Sequence, residues 1–184
     1  MNIRNGPRDS TKEAEQLSYK DPSYIIFDGD EDKWAYAFMK GWNANERVDF
    51  NFNNAHDLDS MTSRAQGEDY VKKNLKARMQ KSTAAIVLIG EKTKNLYRFV
   101  RWELELALSL DLPIIAANLN NSKSQDDRCP PIIRDRCVVH VPFKMKAIMH
   151  ALDGWPAEYR NMSTLERSKG WRQYSAETYR GMGL

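Results

Sequence analysis

The sequence predicts an α/β fold built on a doubly wound, mainly parallel sheet of five strands. The clearest strand is Ala84 to Ile89, a continuous apolar run that ends at Gly90, as expected for a strand covered on both faces. From Phe99 to Leu110 the apolar residues instead recur at the spacing of one helix face. Strands continue to alternate with helices along the chain, which is the pattern of a doubly wound sheet.

The 184 residues divide into three predicted regions. Residues 1–20 are polar and are predicted to form a flexible N-terminal arm. Residues 21–154 contain the alternating strands and helices of the α/β domain. Residues 155–184 contain two tryptophans and three tyrosines, too much aromatic surface for a free tail. We therefore expect these aromatic residues to pack on the domain or on another subunit, and we assign them to a C-terminal extension packed on the domain.

The predicted elements of the domain follow one another from residue 23 onward. Strands are predicted at Ser23–Phe27, Val48–Phe52, Ala84–Ile89, Pro113–Asn118 and Cys137–Val141. Helices are predicted at Trp34–Trp42, at Tyr70–Met79, from near Arg98 to Leu110, and at Met145–Leu152. The second strand alternates apolar and polar residues, as an exposed edge strand does. The strand order 2-1-3-4-5 places it at an edge, and the ligand crevice then lies between Asp28-Gly29 and Gly90-Glu91.

Composition excludes several classes of protein. The net charge of +3 and the pI of 8.8 are only mildly basic, short of the pI above about 9 of a dedicated nucleic-acid-binding domain, so we expect no nucleic-acid partner. The sequence contains neither a long apolar run nor a secretory signal, so we expect a cytoplasmic protein without a membrane partner. The two cysteines, Cys129 and Cys137, are expected to be free thiols.

Glu103 is the most informative single residue. It lies within the apolar face of the predicted helix after the Ala84 strand, whereas Glu105 pairs with Arg101 at helical spacing and is expected to be solvated. A carboxylate among apolar groups costs free energy unless it is paired or used in chemistry. Glu103 is therefore either a half-buried acid paired to a nearby Arg or Lys or a catalytic group near the predicted crevice.

Other polar residues near the crevice have weaker interpretations. The acidic run from Asp28 to Asp32 could hold Mg²⁺ or simply form a turn before a helix. A magnesium-binding receiver domain would also need an Asp where this chain has Ile89-Gly90-Glu91, so we expect no metal site. Asn118 ends a buried strand and could bond a ligand or cap the turn. No phosphate-binding glycine loop or nucleophile motif is present in the sequence.

Two segments resemble the TIR-like proteins of bacterial Thoeris anti-phage systems, a branch of the TIR superfamily. Val87-Leu88-Ile89-Gly90 followed by Thr93 resembles the third strand of that branch and its Val-Leu-Ile-Gly-x-x-Thr motif. Phe99-Val100-Arg101-Trp102-Glu103-Leu104 resembles its Trp-Val-x-x-Glu-Ile segment, although Phe99 replaces the usual Trp. The similarity covers about Tyr24 to Val141. It implies a flavodoxin-like, TIR-like fold in which Glu103 is the catalytic residue.

The resemblance also implies a reaction. Family members cleave the bond between nicotinamide and ribose in NAD⁺, often with cyclisation to an ADP-ribose signal, so NAD⁺ is expected as substrate and no cofactor is needed. One carboxylate is enough if it stabilises the positive charge that develops on the ribose. The substrate-binding residues are then expected at the crevice: Phe27, Asp28, Gly29, His56, Asp57, Gly90, Trp102 and Asn118.

The expected partners follow from the same resemblance. We expect self-association on activation, a separate effector that reads the nucleotide product, and a phage protein as a candidate trigger. The Arg-Asp-x-x-x-Gly loop of receptor TIR domains is absent, and Asn54 to Leu58 stands in its place. Two alternatives remain open: a non-catalytic TIR-like interaction module in which Glu103 is an ion pair, and an enzyme resembling nucleoside deoxyribosyltransferases, which also needs a carboxylate at a ribose.

Overall fold

The computed structural model describes residues 20–43, 52–53, 68–95 and 99–184. Its strands are β1 (Ser23–Ile26), β2 (Phe52–Asn53), β3 (Ala84–Ile89), β4 (Ile114–Asn118), β5 (Val138–Pro142) and β6 (Arg172–Gln173). Its α-helices are α1 (Lys33–Asn43), α2 (Glu68–Met79), α3 (Phe99–Ser109), α4 (Pro131–Arg134), α5 (Met145–Asn161), α6 (Thr164–Arg167) and α7 (Ala176–Gly181). A short 3₁₀ helix spans Thr93–Asn95. The predicted arm lies outside the described residues up to position 19, as does most of the predicted edge strand.

All neighbouring strands of the sheet run parallel, in the order β2-β1-β3-β4-β5-β6. The predicted α/β class with a parallel sheet is confirmed, and the first five strands follow the predicted order. The prediction of five strands is one strand short, because β6 pairs with β5 through Val139 and His140. Its two residues are polar and carry no strand signal, so only the pairing with β5 makes them a strand.

Helices cover both faces of the sheet and divide the core into two clusters. On one face, α1, α5 and α7 pack against the sheet through residues such as Met39, Trp155 and Tyr179. On the other face, α2, α3 and α4 pack through residues such as Met79 and Leu104. Every residue of β3 and β4 is buried. This double covering is the reason why both strands are almost continuously apolar in sequence.

The C-terminal residues are part of the same folded body. Helix α5 runs without interruption across residue 155, although the sequence predicts its end near Leu152. Pro156 lies inside this helix, where the loss of one backbone hydrogen bond normally weakens it, but Trp155 and Pro156 are both buried in the core. Further along, Tyr179 of α7 is 1% exposed. Burial of these aromatic side chains favours the continued helix and the docked C-terminal segment.

Cys129 and Cys137 are both free and buried, which confirms the prediction of free thiols. Burial raises the pKa of Cys129 to about 12, so its thiol stays protonated and unreactive at neutral pH. Among the helices of the described ranges, none is long and apolar enough to cross a membrane.

Candidate active site

Glu103 lies in the second turn of α3 and is 3% exposed. Its helical neighbours Val100 and Ala107 are buried in the same core cluster, which fills the space between α3 and the sheet. The apolar face of α3 therefore carries Glu103 inward, as the sequence predicts. Glu105, on the other side of the helix, forms an exposed ion pair with Arg101 at 2.8 Å, which is also as predicted.

The Glu103 carboxylate has one hydrogen-bond partner within the described residues. The hydroxyl of Tyr24, on β1, donates to Oε1 of Glu103 at 2.7 Å, and both side chains are buried. The second oxygen, Oε2, is also buried and has no hydrogen-bond partner in the described part of the chain. An ion pair with an Arg or Lys, the other interpretation of this residue, is not seen there. The site therefore contains a carboxylate with one oxygen held and one oxygen unpaired.

Burial sets the protonation of this carboxylate. It raises the pKa of Glu103 from 4.5 to about 7, and the hydrogen bond from Tyr24 opposes part of that rise. Tyr24 itself has a raised pKa, first because it is buried and then because of the Glu103 charge beside it. At neutral pH, Glu103 is thus present in both protonated and ionised forms. Titration at this pH is typical of functional carboxylates, although buried structural acids share it.

A second acidic group lies at the carboxyl ends of β1 and β3. The Asp32 carboxylate is 5% exposed, and burial together with the neighbouring Asp28 charge raises its pKa to about 6. Asp28 Oδ1 accepts a hydrogen bond from the backbone of Asp30 at 2.9 Å, as in a turn. Gly90 donates its backbone N–H to the Thr93 hydroxyl at 2.8 Å, and that hydroxyl donates to Asp32 at 3.4 Å. Sequence reasoning did not single out Asp32, because the acidic run gives no sign of which member is buried.

Asp28 and Gly29 follow β1, and Gly90 follows β3, so the three residues lie at the same edge of the sheet because the two strands pair in parallel. A side-chain atom added at Gly29 would touch nothing within 4 Å, so this turn borders open space. Within the described residues, no three His, Cys, Asp or Glu side chains are placed to hold a metal ion. The acidic run from Asp28 to Asp32 instead forms a turn, and its last member, Asp32, is buried against Thr93.

Phe27 and Trp102 have different surroundings from Glu103. Phe27 is 3% exposed and stacks on Tyr36 at 4.6 Å, in the core cluster on the opposite face of the sheet from Glu103. Trp102 is partly exposed and lines a cavity of about 480 Å³ between α2 and α3. Glu103 is not among the residues that line this cavity. His56 and Asp57 lie outside the described residues.

Asn118 holds the loop after β4. Its Nδ2 donates to the backbone oxygens of Ser122 at 2.9 Å and Ser124 at 3.1 Å. Its Oδ1 lies 3.4 Å from Nδ1 of His140 on the neighbouring strand. His140 is fully buried, and burial lowers its pKa to about 4. These contacts occupy the Asn118 amide and correspond to the turn-capping interpretation of the residue.

The comparison with protein families decides which kind of domain this is. The profile of the family described as Thoeris protein ThsB, TIR-like domain, matches residues 23–124, more than half of the chain. The chain belongs to this family. The matched region of this Thoeris TIR-like domain runs from β1 past β4, so it includes Tyr24, Glu103 and Asn118 and ends before β5. The membership confirms the resemblance and gives the chain a TIR-type role in defence. A search of curated proteins finds no match to it.

Proposed function

We propose that this chain cleaves the bond between nicotinamide and ribose in NAD⁺ and forms an ADP-ribose-type signal, with Glu103 as the catalytic carboxylate. The observation that carries the proposal is the buried Glu103 side chain, whose Oε2 has no hydrogen-bond partner among the described residues. A buried, unpaired carboxylate oxygen is costly for folding, and binding the hydroxyls of a substrate ribose would supply its missing partner.

The chemistry needs one negative charge near the ribose. When the glycosidic bond breaks, its electron pair leaves with nicotinamide, and positive charge develops at the ribose carbon and ring oxygen. A fixed carboxylate stabilises that charge. Water then attacks the same carbon to give ADP-ribose, or a group of the same nucleotide attacks it to give a cyclic product. The ionised form of Glu103 is required, so the rate should rise with pH through about 7.

The burial of Glu103 supports a requirement for activation. A side chain that is 3% exposed meets a substrate only after its surroundings rearrange. We therefore propose that self-association or a phage-derived trigger opens the site, and that a separate effector in the cytoplasm reads the product. An unregulated NAD⁺-consuming enzyme would harm its host, which is a second reason for such control.

The same burial favours one competing function. In a non-catalytic TIR-like interaction module, Glu103 would only tie α3 to β1 through Tyr24, and the present geometry satisfies that role without a substrate. The two functions differ in whether charge at Glu103 matters for turnover.

The test is release of nicotinamide from NAD⁺ by the purified protein, alone and with lysate of infected cells. Glu103→Gln should lower the rate by about 10² to 10³, the typical loss of one preorganised electrostatic contact. Glu105→Gln is the matched control, since it removes a carboxylate two residues away on the exposed side of α3. A parent without activity under every trigger, or a fully active Glu103→Gln variant, would favour the interaction module or another site.

A further inference from the structure

Tyr24 has an unusual position for a tyrosine. It is the second residue of β1, which lies between β2 and β3; it pairs in register with Ala85 of β3 and is fully buried. Its side chain lies in the core cluster on the α2 and α3 face of the sheet. A phenol hydroxyl in such a place costs free energy unless it finds a hydrogen-bond partner. Among the described residues, the hydroxyl donates to Glu103, which is 79 residues away in sequence.

The hydrogen bond from Tyr24 makes the two carboxylate oxygens of Glu103 different from each other. Oε1 is fixed by Tyr24, and Oε2 is buried without a partner in the described ranges. We propose that Tyr24 is a positioning residue for the NAD⁺ cleavage, because its hydroxyl holds Oε1 of Glu103 and leaves Oε2 as the oxygen that meets the ribose. This inference rests on the proposed function. It specifies that Oε2 of Glu103 contacts the ribose and that Tyr24 holds the carboxylate in position.

The bond also favours the ionised form of Glu103. A hydroxyl that donates to a carboxylate stabilises the charge, and it lowers the pKa that burial has raised. The other groups whose charge acts on Tyr24 are Arg78 on α2, which lowers its pKa, and Tyr36 on α1, which raises it. Loss of the hydroxyl should therefore raise the pKa of Glu103 by about one pH unit or more, the equivalent of one hydrogen bond to a charged group.

Tyr24→Phe tests the proposal, because it removes the hydroxyl and keeps the ring. In the variant, the pH profile of kcat should move to higher pH by about one unit, with about a fivefold loss at pH 7 and recovery at high pH. A merely structural role would lower kcat at every pH alike. Tyr179→Phe is the matched control, since Tyr179 is also buried and its hydroxyl has no partner among the described residues.

A second readout does not depend on activity. In protein labelled with ¹³C at the glutamate carboxyl carbons, the signal that Glu103→Gln removes reports the titration of Glu103. Its midpoint should move to higher pH in Tyr24→Phe and stay at the parent value in Tyr179→Phe. If Tyr24→Phe does not fold, 3-fluorotyrosine at position 24 replaces it. The more acidic hydroxyl donates more strongly, so the midpoint should then move to lower pH.

An unchanged Glu103 midpoint overturns the role of Tyr24, whether or not the protein cleaves NAD⁺. A shifted midpoint with an unshifted kcat profile also overturns it, because the hydroxyl would then not act in the reaction. If instead Glu103→Gln retains full activity, the proposed function itself fails, and that result is separate from the titration.

Discussion

Gly90, the residue after β3, lies against the buried carboxylate of Asp32. A β-carbon at Gly90 would be only 2.3 Å from Oδ1 of Asp32 and 2.7 Å from its Cγ. Real β-carbons do not approach other atoms so closely. Any side chain at this position would displace the Asp32 carboxylate, so the glycine of the Val-Leu-Ile-Gly motif has a reason in packing.

Gly90→Ala should accordingly destabilise the protein by about 1 to 3 kcal/mol, the usual effect of overpacking, as the Asp32 carboxylate is pushed from its place near Thr93. Urea unfolding measures the change. Gly154→Ala is the control: Gly154 is exposed in α5 with nothing within 4 Å of its added carbon. The Gly154→Ala variant should be more stable than the parent by about 0.5 to 1 kcal/mol, because alanine has the higher helix propensity. Equal changes in stability for Gly90→Ala and Gly154→Ala would contradict the close contact between Gly90 and Asp32.

The stability of the fold should decrease as pH rises toward neutrality because of Glu103. Its pKa is raised from 4.5 to about 7 by burial, so the folded state holds the proton more tightly than the unfolded chain. This contribution is complete below about pH 4.5 and is lost as the pH rises through 7. The Gln side chain of Glu103→Gln carries no charge at any pH. Between pH 5 and 8 the free energy of unfolding of the parent should therefore fall by an amount on the order of 3 kcal/mol that the variant does not lose.

Urea unfolding at several pH values measures this difference between Glu103→Gln and the parent. The exposed Glu105→Gln variant should parallel the parent curve. If Glu103→Gln and the parent lose stability together over this range, Glu103 is not the buried titrating group.

His140 should make the fold less stable as the pH falls, whereas Glu103 makes it less stable as the pH rises. Burial lowers its pKa from 6.5 to about 4, and the Asp126 charge opposes this shift in part. The unfolded chain therefore binds a proton more readily than the folded one. Stability is complete above about pH 6.5 and is lost as the pH falls through 4. His140→Gln should be less stable at pH 7, because its contacts with Asn118 and Trp171 are lost, but its stability should change less between pH 6.5 and 4.

NMR titration of the His140 ring in the parent checks the same point directly. A midpoint near 6.5 would show that the ring is open to solvent and would refute the prediction. Unfolding of His140→Gln with the same acid dependence as the parent would refute it equally.

Tyr179→Ala should cost about 3 to 5 kcal/mol, the usual loss for a fully buried aromatic side chain. The ring is 1% exposed and lies 4.6 Å below the Lys123 ammonium group. Leu165→Ala serves as the control, since Leu165 is 73% exposed on α6 and should change stability by no more than about 0.5 kcal/mol. Thermal or urea unfolding measures both. A tolerated Tyr179→Ala change would mean that α7 does not stabilise the domain.

Turnover, once detected, should rise more steeply than protein concentration, because a nearly inaccessible Glu103 needs a rearrangement that association can supply. Rates of nicotinamide release over a dilution series, with light scattering on the same samples, measure this dependence. A constant rate per molecule from dilute monomer to concentrated protein would argue against activation by self-association.

Strong local patterns explain what the sequence predicts well. β3 and β4 are apolar because helices cover both faces, and α3 shows helical spacing because one of its faces meets the sheet. Burial of Glu103 and exposure of Glu105 follow from their positions on that helix. These features depend on neighbours within a few residues, so periodicity is enough to find them.

Other features depend on residues that are distant in sequence. β6 and α4 contain two and four residues and form only where the rest of the fold supports them. The partner of Glu103 could not be identified, because Tyr24 reaches it only after β1 and α3 have packed. Phe27 was expected near the substrate, but strand alternation turns its ring to the opposite face from Glu103.

The short strand β6 has a consequence for synthesis of the chain. Until Arg172 and Gln173 have been made, β5 is the outer strand, and its free N–H and C=O groups form a ready template for pairing with another molecule. A nascent chain, or one cut within α6, would present this apolar edge to its neighbours and tend to aggregate. Arg172 and Gln173 are thus the residues that cover this edge of β5 against another copy of the sheet.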